Sequence, residues 1–182
     1  KGVNRIKSGE VLLEGENLLE KTPKEMRTYQ GSKLSIIFQD PFTYLNPTMT
    51  VGAQIMEVYL QHHKKAIRKE AAEKAVEMMK IISMPNPEQT LKRYPHQLSG
   101  GLRQRVMITM ALSCNPAVLF ADEPPTALDV TVQAQIIELM NDLKDKVDTS
   151  IVLITHDMGV VANMAERIYV MYAGQIVEHG DN

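Results

Sequence analysis

Three polar groups, each set directly after an apolar run, are the residues of this sequence best suited to chemistry. Gln39 follows Leu34-Ser-Ile-Ile-Phe38, Asp122 and Glu123 follow Val118-Leu-Phe-Ala121, and His156 follows Ser150-Ile-Val-Leu-Ile-Thr155. A short apolar run closed by a turn signal reads as a buried, parallel strand. Open α/β sheets place their ligands at the carboxyl ends of such strands. Two adjacent carboxylates there suit a metal and a charged substrate, with Gln39 and His156 able to face a phosphate. The plainer reading is that Asp122 or Glu123 caps a following helix. A lone glutamine or histidine after a strand is also more often structural. Three strand ends converging on one edge are the feature that separates the two readings.

A fourth feature is Leu98-Ser-Gly-Gly-Leu-Arg-Gln-Arg105. Ser99 is placed to cap a helix running on through Met107, Met110 and Ala111. Gly100 and Gly101 allow close backbone approach. A helix start with free N–H groups and a serine hydroxyl can bind an anion. An ordinary capped helix with a glycine-rich start is the alternative.

The elements that must position these groups follow along the chain. Glu10–Glu14 alternates weakly between Gly9 and Gly15 and predicts a strand with turns at both ends. Thr22-Pro-Lys-Glu25 predicts a helix start, with Thr22 as cap and Pro23 in the first turn. Pro41 to Pro47 is a proline-bounded loop with two exposed aromatics, Phe42 and Tyr44. From Val51 to about Cys114 the pattern is helical. Ile55, Val58 and Tyr59 form one stripe, and Ile67, Ala71, Ala75, Met78 and Ile82 a longer one. Glu70 and Lys74 are spaced for an ion pair on its solvated face. Pro85, Pro87 and Pro95 interrupt this region. Ile136, Ile137, Met140 and Leu143 mark a later amphipathic helix. A short helix to about Arg167 and a hairpin turning at Ala173-Gly174 close the chain. The expectation is therefore an α/β core over residues 1–50 and 115–182 with a largely parallel sheet, and a helical subdomain over 51–114.

Composition narrows the classes. A chain of 182 residues with 44% apolar residues can bury one medium core. A formal charge of -2 gives no electrostatic reason for a nucleic-acid partner. One cysteine, Cys114, excludes an internal disulfide and a multi-cysteine zinc site, and is best read as a small buried residue. The adjacent His62 and His63 cannot share one metal from a helix and read as solvent-exposed, and His179 as a surface residue. His96 reads as part of the approach to the Leu98 motif. The methionines, Met78, Met79, Met107 and Met110 among them, read as core fillers. No apolar run approaches a membrane-spanning length, so membrane association would come through a partner.

Together these motifs resemble the nucleotide-binding domain of ATP-binding-cassette (ABC) proteins, a P-loop NTPase fold. Leu98-Ser-Gly-Gly is similar to the family's signature motif and Val118–Glu123 to its Walker B strand. Ala127-Leu-Asp129 is similar to the D-loop, Gln39 to the Q-loop and His156 to the switch histidine. Phe38–Gly52, Tyr94–Gly101 and Thr131-Val-Gln-Ala-Gln135 resemble the bacterial peptide/nickel importer branch. The resemblance implies the ATPase subunit of a dipeptide or oligopeptide importer, peripheral on the cytoplasmic face of the cell membrane, using ATP and Mg²⁺. It implies that Asp122, with Gln39, serves the metal and that Glu123 is the general base. His156 would contact the γ-phosphate. Ser99, Gly100 and Gly101 would bind ATP held by a second ABC subunit, with Asp129 at that interface. The Asp40–Asn46 loop and the helices would receive a transmembrane permease subunit, which an extracytoplasmic substrate-binding protein would supply.

Two departures accompany the resemblance. The family's glycine-rich phosphate loop ending in Lys-Ser or Lys-Thr does not occur in these 182 residues. In the family it precedes the strand placed at Glu10–Glu14. The expectation is an incomplete core, with weak or no ATP binding and no hydrolysis by these residues alone. Pro125 stands where the branch has threonine, which puts the D-loop geometry in question. Two rival readings are a degenerate half-site that serves a partner's ATP without hydrolysing its own, and a soluble ABC ATPase. Near-neutral charge and the importer-like segment after Gln39 disfavour the latter.

Overall fold

Three of the apolar runs pair in parallel and build the centre of the molecule. The computed structural model describes residues 6–39, 44–124 and 129–182. Strands β3 (Leu34–Ile37), β4 (Val118–Asp122) and β5 (Ser150–Ile154) form a sheet in that order, with β4 central. Ile37 lies beside Ala121 and Ala121 beside Leu153, so all three carboxyl ends share one edge. Parallel strands need crossovers, and here these are helical. The chain before them forms a two-residue hairpin, β1 (Leu12–Leu13) with β2 (Glu16–Asn17), shorter than the strand expected at Glu10–Glu14 because Glu14 and Gly15 turn at positive φ. Helix α1 (Pro23–Tyr29) follows, started as expected by Thr22. The Thr22 hydroxyl accepts from the Glu25 N–H while the Glu25 carboxylate accepts from the Thr22 N–H.

Between β3 and β4 the regular structure is helical: α2 (Val51–His62), α3 (Arg68–Ile81), the single turn α4 (Pro87–Thr90) and α5 (Gly100–Leu112), with a 3-10 turn at Pro95–Gln97. Ala71, Ala75, Met78 and Ile82 are buried, as their spacing predicts. Ile67 is not part of that stripe, being the exposed residue that starts α3. Nor does Glu70 pair with Lys74. Its carboxylate reaches back to accept from the Ile67 N–H at 3.0 Å, while Lys74 pairs with Glu77. An orphan N–H in the first turn is a better partner for an acid than a mobile ammonium one turn on.

After β4 come α6 (Val130–Lys146), β5, α7 (Met158–Met164) and the antiparallel hairpin β6 (Arg167–Tyr172) with β7 (Gln175–Asp181). The hairpin turns where expected, with Ala173 and Gly174 both at positive φ. The preceding helix ends at Met164, three residues earlier than expected, and Arg167 already belongs to β6.

One apolar cluster joins the helices to the sheet: Ile55, Met78, Met79, Ile108 and Leu112 meet Ile37, Leu119 and Ala121, then Ile136, Met140 and Leu143. Met78, Met79 and Met107 are buried there, as their role of core fillers requires. The expectation of fully buried strands is corrected. Successive side chains point to opposite faces, and the described helices cover one. Ile37, Leu119 and Ala121 are enclosed, whereas Ile36, Val152 and Ile154 on the other face are 45%, 42% and 49% exposed.

Candidate functional site

Glu123 is the point on which the strand ends converge. Its carboxylate accepts a hydrogen bond from Gln39 Nε2 at 2.8 Å. His156 Nδ1 stands 2.6 Å from its other oxygen. A carboxylate brings no proton, so the imidazole nitrogen donates. Each partner comes from a different strand: Gln39 lies two residues beyond β3 and His156 two beyond β5, flanking the end of β4. Parallel register delivers them there. The Glu123 N–H donates to Ile154 O at 2.9 Å, extending the ladder by one bond past Asp122.

The Glu123 backbone pays conformationally for this position. Its φ is 44°, in the left-handed region that a residue with a β-carbon rarely occupies. Such a conformation costs about 1–3 kcal/mol and persists only where surroundings over-determine it. Here the surroundings are the Ile154 carbonyl and the two side-chain partners. Glu123 itself is half-buried, while the His156 ring is 79% exposed and so reachable from outside. Neither Asp122 nor Glu123 caps a described helix: Asp122 ends β4, and the cap of α6 is Asp129.

Asp122 pairs in register with Ile154, on the sheet face that includes Phe120 and Val152. Among the described residues no group of three or more His, Cys, Asp or Glu side chains could hold a metal. The oxygens available are hard ones, from Asp122 and the Gln39 amide. They fit an ion such as Mg²⁺ that keeps water and substrate phosphate in its remaining positions, and do not form a closed protein cage. Phe38 stacks on Tyr44 at 4.2 Å between ring centroids, bracketing the segment after Gln39. Asp40–Thr43 and Pro125–Leu128, which include the start of the proposed docking loop, Pro125 and most of the D-loop motif, lie outside the described residues.

The glycine-rich motif builds a second helix start. The Ser99 hydroxyl accepts from the Leu102 N–H at 3.4 Å and caps α5, as expected. Gly101 has a further reason to lack a side chain, invisible in the motif. A β-carbon there would lie 2.6 Å from Val132 Cγ1 in the first turn of α6. That turn is capped by Asp129, whose carboxylate accepts from the Val132 N–H at 3.0 Å. The structure therefore brings Gly101 beside the helix begun by Asp129, as it brings Gln39 and His156 to Glu123. Asp129 as a helix cap was legible from its residue type but went unread.

Other candidates resolve simply. His62 is half-buried rather than exposed, with its ring against Gly31, and burial first, then neighbouring His63, lowers its pKa. His63 is exposed and stacks on Tyr59. His96 stacks on Tyr94, three residues before Ser99, and His179 is exposed beside Tyr169. Cys114 is partly buried, and desolvation pushes its thiol up to about 11.

Comparison with known proteins bears on the family and the fold. The ABC transporter family profile matches residues 1–126. The oligopeptide transport ATP-binding protein OppD of Bacillus subtilis (strain 168) is 59% identical over 176 residues, which are 96% of this chain and 49% of that protein. The dipeptide transport ATP-binding protein DppD of the same organism is 51% identical over 97% of this chain and 52% of its own length. The chain thus spans about half the length of these curated relatives. A dimeric post-hydrolysis structure of the ATP-binding cassette MJ0796, bound to ADP and Pi, superposes with a TM-score of 0.82 at 27% identity, covering 96% of this chain and 74% of that one. With a family profile matching well over half its residues and the cassette fold in place, this chain belongs to the ABC transporter family.

Proposed function

We propose that the chain is part of the ATP-binding subunit of an ABC importer, coupling ATP binding and hydrolysis to uptake of dipeptides or oligopeptides. The observation that carries this reading is the clasp of Gln39 and His156 on Glu123, at 2.8 and 2.6 Å. A carboxylate held by two donors from flanking strands is a fixed, oriented base. Glu123 polarises the attacking water. Gln39 orients Glu123 and reports on the metal position. His156, accessible on its outer side, stabilises charge developing on the γ-phosphate. Asp122, with the Gln39 amide oxygen, holds Mg²⁺, which when bound neutralises phosphate charge.

Ser99, Gly100 and Gly101, at the capped start of α5, offer N–H donors and a hydroxyl to ATP on a second ABC subunit. Asp129 lies at that interface. The relative solved as a dimer supports a paired arrangement. The division into an α/β core at 1–50 and 115–182 and a helical subdomain at 51–114 is part of the same reading. A groove of about 540 Å³ on the helical side, lined by Met49, Ala53, Met56, Glu57, Leu60 and Arg68, suits a permease segment with an apolar face and charged flanks. The substrate-binding protein then acts only through the permease. No described helix is long and apolar enough to cross a membrane, and the proposed location is peripheral, on the cytoplasmic side.

The test is Glu123→Gln in the full-length protein assembled with its permease. ATP binding is expected to persist while hydrolysis falls by about 10²–10⁴-fold, the usual contribution of a positioned base, and peptide uptake stops. Unchanged hydrolysis would overturn the reading. The same assay on these 182 residues alone is expected to show no Mg²⁺-dependent turnover.

A further inference from the structure

Five polar side chains are buried among the described residues: Gln54, Thr90, Gln104, Thr109 and Ser113. Four are paired within the chain. The Gln54 carboxamide accepts from the Asn46 N–H and donates to the carbonyls of Asn46 and Met49. Thr90 donates to Pro85 O, Thr109 to Arg105 O and Ser113 to Thr109 O. Gln104 is the exception. It is fully enclosed, and neither its Oε1 nor its Nε2 has a hydrogen-bond partner among the described residues. An enclosed amide without partners forfeits its hydration for nothing. An apolar side chain of similar volume would avoid that penalty.

Its place in the fold gives the cost a meaning. Gln104 lies one turn after Gly101 on the same face of α5. That face meets the first turn of α6, where Val132 leaves no room for a β-carbon at position 101. The two helices begin at Ser99 and Asp129, the groups assigned above to the subunit interface. The unmatched amide therefore sits just behind the contact that fixes how those two helix starts face each other.

We infer that Gln104 is a positioning residue for nucleotide engagement, an inference that rests on the ATP-dependent reading above. Its carboxamide gains main-chain partners when α5 shifts against α6, donating through Nε2 and accepting through Oε1. A group unpaired in one arrangement and paired in another biases the equilibrium toward the second by that difference. The amide thus disfavours the arrangement described here and favours the engaged one.

The test is Gln104→Met in the full-length protein assembled with its partner subunits, with Gln104→Leu as a second apolar variant should the first fold poorly. Melting temperature with and without Mg-ATP and the hydrolysis rate are measured together. The nucleotide-free melting temperature is expected to rise by about 2–6 °C. The increment produced by ATP shrinks, and hydrolysis falls by about ten- to a hundredfold, the loss of the amide's two buried hydrogen bonds from the engaged state. Replacing a purely structural amide would leave the stabilising increment produced by ATP unchanged. A lower melting temperature would mean that the amide is already satisfied, for instance by enclosed water, and would overturn the inference. A higher one with unchanged hydrolysis and ATP increment would overturn it too. If the wild-type protein shows neither an ATP-dependent increment nor turnover, the functional reading itself fails and this inference falls with it.

Discussion

Helices α2–α5 and the three-stranded sheet treat their apolar residues differently. In the helices the stripes are closed: Val51, Ile55, Met78, Met79, Ile82 and Ile108 are essentially inaccessible. In the sheet burial alternates along each strand: enclosed Ile37 follows exposed Ile36, enclosed Leu119 and Ala121 flank the half-buried Phe120, and half-buried Leu153 lies between exposed Val152 and Ile154. The helical region is thus finished on its inner side by the described residues themselves, and the sheet is finished on one face only. Side-chain period explains this. A helix can turn its whole apolar stripe to one partner, whereas a strand needs a partner on each face.

The largest effects should expose that contrast directly. Ile108→Ala in α5 and Leu119→Ala in β4 both remove fully enclosed groups and should destabilise by about 2–5 kcal/mol. Ile154→Ala, on the open face, should cost about 1 kcal/mol or less. Equal losses in chemical denaturation would break the comparison. Next in size is Arg105→Ala. The Arg105 guanidinium donates to Ile82 O at 2.5 Å, tying α5 to the end of α3. Its removal should cost about 1–3 kcal/mol without touching the sheet, which amide exchange localised to α3 would confirm.

The smallest effect concerns Cys114, just after α5. Burial raises its thiol from 9.0 to about 11, so the folded chain holds its proton longer than the unfolded one does. Stability from this group is therefore complete below about pH 9 and declines as pH climbs toward 11. Alkylation at pH 8 should be slow in the native protein and fast after unfolding. Rapid native labelling would show the helical region to be less closed than described.

The parts of the site that could be read from sequence are those fixed by chain direction. An apolar run ending in Gln39, Asp122-Glu123 or His156 announces both a strand and its polar tip, and parallel pairing then gathers the tips. The glycine pair after Ser99 and the capping box at Thr22 were equally plain, because each is a local hydrogen-bonding device. What stayed hidden depends on neighbours distant in sequence. Nothing in the residue type of Glu123 announces a left-handed backbone, and nothing in Gln104 announces that its amide would be left unmatched. Glu70 could have served Lys74 or its own helix start, and sequence spacing alone does not rank them. The open sheet face was missed because an apolar strand looks alike whether one face or both are covered.

The close approach of Gly101 to Val132 carries one more consequence. Two positions thirty-one apart along the chain share a single allowance of space, so neither can be varied as though the other were fixed. A library that enlarges the first should recover folded members only where the second has shrunk, and such compensated pairs would mark the seam as sterically gated rather than chemically specified.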